Sequence, residues 1–479
     1  MTLQEQAQTP HKPVPYKFSP DILREYDIRG RVDVDLRVED AYAIGCAFGS
    51  YVKKDGGQTM CVGYDGRHSS PIFAQALIQG LVDVGIDVEN IGLGPTPMLY
   101  FAVKDRLKDA GVMITGSHNP PDYNGFKMTM QSKQIFGDII QEIGKIAETG
   151  DYTSGTGSSR KIDIKETYVE RLLKDLTKGD LSSKKIAWDC GNGAAGEIIQ
   201  MLTSKMPGEH ILMFEDIDAD FPNHHPDPTV DKNLIDIIDV VRTQNCDLGV
   251  AFDGDGDRIG VVDEKGQILR SDLLTALYAK EILESSPGAP IVADVKCSQV
   301  LFDEIKRLGG TPVMWKTGHS LLKDKMAELK SPLGGELSGH IVFADKWYGF
   351  DDGIYCAIRL INEIVENGAP LSTMTTHLPV LCNTPEIRFD VDETQKFAIV
   401  EEITASLKQR AETEEFEVMD MDGIRLSTKD GWWLLRASNT QNALATRAEA
   451  RTPEALEKLK EMVSNEIKKF GYTIDFDSE

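Results

Sequence analysis

The chain has 479 residues, enough for three or four domains of ordinary length, and its 41% hydrophobic and 27% charged residues make a common globular balance with ample core. A formal net charge of −25 repels nucleic acid and anionic membrane surfaces, so a phosphate-bearing ligand needs cations gathered locally against the overall field. Seven scattered cysteines with no C-x-x-C argue against a disulfide framework or a zinc site and fit a reducing cytoplasm; no run of 18 or more apolar residues is present to span a membrane.

Met1 to Lys17 is polar, carries three prolines and lacks the apolar run of a signal peptide, which reads as a loose tail. A unit then recurs three times: a short apolar strand, an Asp at or just past its end, a small-residue loop and a helical pattern. It begins at Met60–Gly63 with Asp65-Gly66-Arg67, at Ile186–Trp188 with Asp189 and Gly191-Asn192-Gly193-Ala194-Ala195-Gly196, and at Ile291–Ala293 with Asp294 and Val295-Lys296-Cys297-Ser298. The three Asp residues are 124 and 105 positions apart, a domain-sized repeat, and strands alternating with helices predict doubly wound α/β domains. Linkers are expected at Gly150–Ser159, Asp263–Gly266 and His377–Pro385. After Pro385 come an alternating strand at Ile387–Val391, a helix at Ala398–Gln409, a strand at Gly431–Leu435 and a helix at Pro453–Lys469, an α+β pattern. The expected division is 1–160, 161–265, 266–380 and 381–479.

The chemistry concentrates in loops. Strand Val112–Ile114 runs into Thr115-Gly116-Ser117-His118-Asn119-Pro120, which presents the Ser117 hydroxyl at a strand end, where open α/β sheets bind ligands. Alone this motif also fits a plain Ser/Asn/Pro turn. On an extended chain His118 points to the opposite face, which makes it a doubtful base for Ser117 and a better ligand for phosphate or the turn. Strand Leu248–Phe252 delivers Asp253-Gly254-Asp255-Gly256-Asp257-Arg258, and alternate positions of an extended segment put three carboxylates on one side. They repel one another without a cation, and oxygen ligands favour Mg²⁺, Mn²⁺ or Ca²⁺. An EF-hand would use Glu264, but Arg258 stands where that loop needs Gly and a strand pattern follows. The Gly191–Gly196 run matches a dinucleotide fingerprint, yet small residues also serve helix–sheet packing, so an NAD-dependent oxidoreductase is a weak alternative. Further on, Gly335-Glu336-Leu337-Ser338-Gly339-His340 sets a carboxylate beside a hydroxyl, which suits vicinal sugar hydroxyls, and Arg436-Ala437-Ser438-Asn439-Thr440 with Arg447 has the composition of a phosphate cradle.

In this order the four motifs resemble those of the α-D-phosphohexomutase superfamily, together with Arg24-Glu25-Tyr26-Asp27-Ile28-Arg29-Gly30 and Lys316-Thr317-Gly318-His319-Ser320. The sugar loop is most similar to the bacterial phosphomannomutase/phosphoglucomutase branch. The resemblance runs from about Phe18 to the C-terminus. It implies three related α/β domains and a smaller fourth around a cleft. Ser117 would be the phosphorylated serine, and Asp253, Asp255 and Asp257 would hold Mg²⁺ with its phosphate oxygen. Glu336 and Ser338 would grip the 3- and 4-hydroxyls, and Arg436, Ser438, Asn439 and Thr440 the non-reacting phosphate. Tyr26, Arg29, His118, Asn119, Lys296, His319 and Arg447 would add substrate contacts; Lys127, Arg258 and His340 would lie near the reacting phosphoryl group, with Lys127 or His340 as base. The implied enzyme is a cytoplasmic isomerase, a monomer or weak dimer, that interconverts hexose 1- and 6-phosphates (mannose or glucose, alternatively glucosamine). Glucose or mannose 1,6-bisphosphate would be its activator, and neither nucleic acid nor membrane its partner.

Overall fold

The structure, a computed structural model, describes residues 13–176, 179–392, 394–438 and 442–476. Three sheets share one four-strand plan. Its strands are Thr59–Tyr64, Asp87–Leu93, Ala110–Ile114 and Tyr123–Met130 in the first sheet. In the second they are Lys185–Asp189, Glu209–Met213, Leu248–Phe252 and Ile259–Asp263, and in the third Pro290–Asp294, Thr311–Trp315, Leu333–Gly335 and Ile341–Phe343. In each sheet the first strand of the plan pairs in parallel with the second and third, and the third turns back into an antiparallel fourth. Helices make the parallel crossovers, as parallel pairing requires. Every residue of Ala110–Ile114 and of Leu248–Phe252 is buried, which explains why these strands read as unbroken apolar runs. Helix Gln299–Arg307 illustrates the local logic. Ser298 caps it by accepting from the Val300 N–H, Val300, Leu301 and Ile305 face the core, and Lys306 and Arg307 close its C-terminal turn.

The fourth unit is different. Strands Ile424–Thr428, Gly431–Ala437 and Ala443–Ala450 form an antiparallel meander, covered by helices Lys396–Arg410 and Pro453–Lys468 over a core that includes Ile403, Trp433, Leu435 and Val463. The first three units are fused by apolar contact. Phe101 from the first packs on Tyr168 and on Trp347 of the third within one continuous core.

Two expected linkers carry strand. Ser159–Lys161 pairs with Val88–Asn90, so the first sheet reaches past residue 160. Asp263–Gly266 is a hairpin turn: Ile268–Leu269 pairs with Val261–Val262, and the second sheet continues to Leu269. Gly and Asp mark turns within a sheet as readily as links between sheets. No helix among the described residues is long and apolar enough to cross a membrane.

Candidate active site

All three chemistry-bearing loops of the repeated domains occupy one topological position, the turn from third to fourth strand, and Ser438 follows the strand Gly431–Ala437 of the fourth domain. In the first loop Ser117 is buried and has φ +50. That left-handed conformation is costly for a non-glycine residue and persists only where the surroundings hold it. Arg67, 1% exposed, does so: its guanidinium donates to the carbonyls of Ser117 (2.8 Å), Asn119 (2.6 Å), Pro120 (2.5 Å) and Tyr123 (3.0 Å), and its Nε to Asp65 at 3.2 Å. Asp65 also accepts from the Gly116 N–H at 3.1 Å. The Ser117 hydroxyl is thereby aimed out of its own domain, donating to Asp253 Oδ2 at 2.8 Å. His118 does not face away from it. The turn at Ser117 brings His118 Nδ1 to 3.3 Å from Oγ, where an extended chain would have separated them. Burial and the nearby Arg258, Arg29 and Lys127 push the His118 ring well below its ordinary pKa.

The carboxylates of Asp253, Asp255 and Asp257 converge, with ligand oxygens within 4.8 Å of one another. A turn through Gly256, φ +75, gathers them, in place of the expected extended run. All three are fully buried. Lys127, on the strand that leaves the Ser117 loop, donates to Asp255 at 2.7 Å and to Asp257. Burial opposes its charge, but the two carboxylates outweigh that and hold the ammonium well above its ordinary range. Burial, reinforced by Asp255 and Asp257, pushes the Asp253 carboxyl well up. Even with Lys127 in place, Asp255 Oδ1 is buried without a hydrogen-bond partner among the described residues, and Asp257 Oδ1 has only the long approach of His340 Nε2 at 3.3 Å. Such oxygens are expensive to leave unpaired, and an all-oxygen trio with spare lone pairs fits a hard divalent cation. The loops approach so closely that a Cβ on Gly254 would lie 2.4 Å from the Ser117 carbonyl oxygen.

The third loop is joined to the second through its backbone. Ile259 N–H donates to Gly339 O at 3.2 Å, and Arg258 and His340 form an antiparallel bridge. His340 stands between two carboxylates, with Nε2 3.3 Å from Asp257 Oδ1 and Nδ1 3.0 Å from Glu336 Oε2. Burial and Arg258 drive its pKa down, but Asp257 and Glu336 prevail and raise it to about 9. Burial disfavours the Glu336 carboxylate, yet His340 and Lys296 hold it at about 2. Ser338 Oγ lies 3.4 Å from Glu336 Oε2, so the carboxylate and hydroxyl do face one spot. His319 stacks on His340 with ring centroids 5.1 Å apart and is anchored through Nδ1 to Asp351 at 3.1 Å.

On the fourth domain Arg436 is buried and paired with Asp422, Nε to Oδ2 at 3.2 Å. Lys296 reaches Glu386 at 3.1 Å and Asp294 at 3.8 Å. Arg447 is turned to the backbone of Lys296, whose carbonyl it engages, with Glu449 3.7 Å and Asp272 4.0 Å away. Ser438 opens the loop, its N–H donating to Ala443 O at 2.9 Å; Asn439 and Thr440 lie outside the described residues. From the first domain, Tyr26 reaches the Thr317 carbonyl at 2.7 Å and Arg29 reaches Asn119 Oδ1 at 2.6 Å.

Sequence reasoning passed over several residues that build this site. Arg67 stands in the recurring Asp-loop unit, where the sequence marks it only as part of the repeat. Thr96, which donates to Asp255 at 2.5 Å, and Asp422 sit in no motif and had no signal. The Gly191–Gly196 run turns out to be packed against protein. A Cβ on Gly193 would meet Gly254 O at 2.8 Å, and one on Gly196 would meet Glu215 O at 2.0 Å, which leaves no room for a pyrophosphate.

Comparison with known proteins covers nearly the whole chain. The models of phosphoglucomutase/phosphomannomutase alpha/beta/alpha domains I, II and III match residues 20–154, 166–266 and 270–381, and that of the C-terminal domain matches 386–466. The chain is 44% identical over 447 residues to a phosphomannomutase/phosphoglucomutase of Pseudomonas aeruginosa, covering 93% of this chain and 95% of that protein. It is 39% identical to a phosphoglucomutase of Neisseria gonorrhoeae, covering 92% and 95%. A crystal structure of a phosphoglucomutase/phosphomannomutase family protein from Burkholderia thailandensis superposes with a TM-score of 0.89 at 39% identity, covering 96% of this chain and 100% of that one.

Proposed function

The chain belongs to the phosphoglucomutase/phosphomannomutase family, and we propose that it interconverts the 1- and 6-phosphates of glucose and mannose through a phosphoserine at Ser117 and a hexose 1,6-bisphosphate. The observation that carries this reading is the Ser117 hydroxyl bonded at 2.8 Å to the carboxylate trio of another domain. A nucleophile so placed transfers a phosphoryl group beside a cation site. The 6-hydroxyl of a hexose 1-phosphate attacks the phosphorus on Ser117, the serine O–P bond breaks, and the hydroxyl proton leaves to a base. The bisphosphate then turns end for end and returns its other phosphoryl group to Ser117. Glu336 and Ser338 grip the 3- and 4-hydroxyls, which exchange places in that turn. Arg436 and Ser438, with Asn439, Thr440 and Lys296, hold whichever phosphate is not reacting. Tyr26, Arg29, His118, Asn119 and His319 would add further substrate contacts, and Arg447 supports Lys296 through its carbonyl.

Asp253, Asp255 and Asp257, with the phosphoserine oxygen, would hold Mg²⁺, which when bound withdraws charge from the transferring oxygens. Lys127 offsets part of the charge of that trio through Asp255 and Asp257, and Arg258 stands beside it. His340 spans the sugar-gripping Glu336 and the metal loop, and with its ring held in the charged form it would give a proton to the departing serine oxygen. Glucose or mannose 1,6-bisphosphate would prime Ser117. A reducing, cytoplasmic setting goes with this reading, supported by seven free cysteines.

Phosphorus NMR of the protein with Mg²⁺ and a trace of glucose 1,6-bisphosphate tests the proposal. Glucose 1-phosphate and mannose 1-phosphate, supplied separately, should each convert to the 6-phosphate, and persistence of both would overturn it. Ser117→Ala should abolish turnover and leave glucose 6-phosphate binding measurable. Full activity in that variant would remove Ser117 from the mechanism.

A further inference from the structure

Three domains meet at the backbone of Thr317. Its carbonyl accepts from the Tyr26 hydroxyl of the first domain at 2.7 Å, and its N–H donates to Asp422 Oδ2 of the fourth at 2.9 Å. The adjoining N–H, that of Gly318, donates to Glu336 Oε1 at 2.5 Å, so the same short segment also holds the sugar-gripping carboxylate. Gly318 has φ +130, and a Cβ there would lie 2.6 Å from the Tyr26 ring. Only glycine lets the tyrosine lie against the chain at this point.

Asp422 has a second partner. Its Oδ2 accepts from Arg436 Nε at 3.2 Å and its Oδ1 faces Nη2 at 3.4 Å. A carboxylate on the Nε edge fixes the plane of a guanidinium and turns the Nη1–Nη2 edge outward, the geometry that grips a phosphate bidentately. Without that carboxylate the guanidinium rides on a long rotatable stem in a buried site. Asp422 lies in the turn between strands Glu417–Met419 and Ile424–Thr428, outside every motif of the site.

We propose that Asp422 is a positioning residue that aims Arg436 at the non-reacting phosphate and, through the backbone of Thr317 and Gly318, joins that aim to Glu336 and Tyr26, so phosphate and sugar hydroxyls are gripped as one unit. The proposal deepens the mutase reading and rests on it. It explains how one site can hold a bisphosphate in either orientation with the same spacing between phosphate and hydroxyl contacts.

The test uses the full chain and two readouts. Asp422→Ala should raise KM for glucose 1-phosphate and weaken calorimetric binding of glucose 6-phosphate by about tenfold or more, the worth of one aimed charge-assisted contact. The kcat should change far less. Asp422→Asn, which keeps an oxygen for both Thr317 N–H and Arg436 Nε, should recover most of the binding. In an Arg436→Ala background, Asp422→Ala should add little. A general packing fault would lower kcat through the active fraction and leave KM in place. Wild-type KM and binding in Asp422→Ala, or an equal loss in the Arg436→Ala background, would overturn the proposal. Wild-type protein that bound glucose 6-phosphate but converted no hexose 1-phosphate would count against the mutase reading alone, because the binding readout needs no turnover.

Discussion

Ser117 is useful only in the conformation that Arg67 enforces. A loop with a left-handed serine has many lower-energy alternatives, and four carbonyls bound to one planar fork remove them. Lysine keeps the charge beside Asp65 but offers three donors at a point, which cannot span carbonyls spread around a plane. Arg67→Lys is therefore expected to lower kcat at least about tenfold through misplacement of the hydroxyl, with KM little changed, in steady-state kinetics. An unaltered kcat would separate Arg67 from the chemistry. Asp352 makes a different point. Burial pushes its carboxyl up to about 7, although Tyr168 and the Tyr355 N–H both donate to it. In the unfolded chain an aspartate titrates near 3.9, so between those values the unfolded state has shed a proton that the folded state keeps. Stability from this group is accordingly highest below about pH 4, falls as pH rises towards 7 and is flat above. Asp352→Asn, which can satisfy both partners uncharged, should be stabilised relative to wild type at pH 8 and gain nothing at pH 4, read from thermal melts at the two pH values. Parallel pH dependence in the two proteins would contradict the assignment.

At the scale of elements, one hairpin turn used three times explains the site. Strand positions were plain in the sequence, since Leu248–Phe252 and Ala110–Ile114 are unbroken apolar runs. The repeat was recognised from the Asp at the first strand, whereas the chemistry sits after the third. Two of those Asp residues turn out to serve the chemistry indirectly: Asp65 binds the Gly116 N–H at 3.1 Å and Asp294 lies 3.4 Å from the Leu337 N–H, each in a third-strand loop. The internal shape of the loops was not legible. The strand period predicts an extended chain at Ser117 and across the three aspartates, and both places are turns, because glycines and a clamped backbone override that period. Gly254 carries the clearest consequence. A methyl group there would press on the Ser117 carbonyl at 2.4 Å, and neither backbone can yield without parting the serine from Asp253. Gly254→Ala should cut turnover about a hundredfold, the cost of roughly 1 Å of misplacement, while the protein stays folded. Near wild-type kcat would mean that the two loops can separate without penalty.

At the scale of the whole molecule, the fourth domain is docked by a set of buried polar contacts beside a small apolar cluster of Val295, Trp432 and Leu434. Arg425, 2% exposed, donates to the carbonyls of Val295 and Cys297 and lies 3.7 Å from the Trp432 ring centroid; Arg447 engages the carbonyl of Lys296 between them. Trp432 Nε1 donates to Glu449 at 2.9 Å, and Glu449 accepts from the Gln299 N–H at 3.0 Å. Three consecutive backbone carbonyls of one domain thus receive two arginines of another, on the loop that carries Lys296. Arg425→Leu should loosen the dock. Faster limited proteolysis within residues 377–385, where Val380 is 95% exposed, and a KM for glucose 1-phosphate raised about tenfold would follow from loss of a hydrogen-bonded charge at the interface. Unchanged digestion and KM would show that the apolar contacts suffice.

Much of this protein was readable from residue order alone. Strands, helices, the threefold repeat and the identity of four candidate loops follow from local periodicity, from residue types and from the order in which the motifs occur. Which loops touch, and through which atoms, was not readable. Tyr26 and Thr317 are 291 positions apart, Ser117 and Asp253 are 136 apart, and Arg436 is aimed by an aspartate in no motif. Contacts of that kind depend on where packed domains bring their loops, and a pattern of neighbours along the chain carries no record of it.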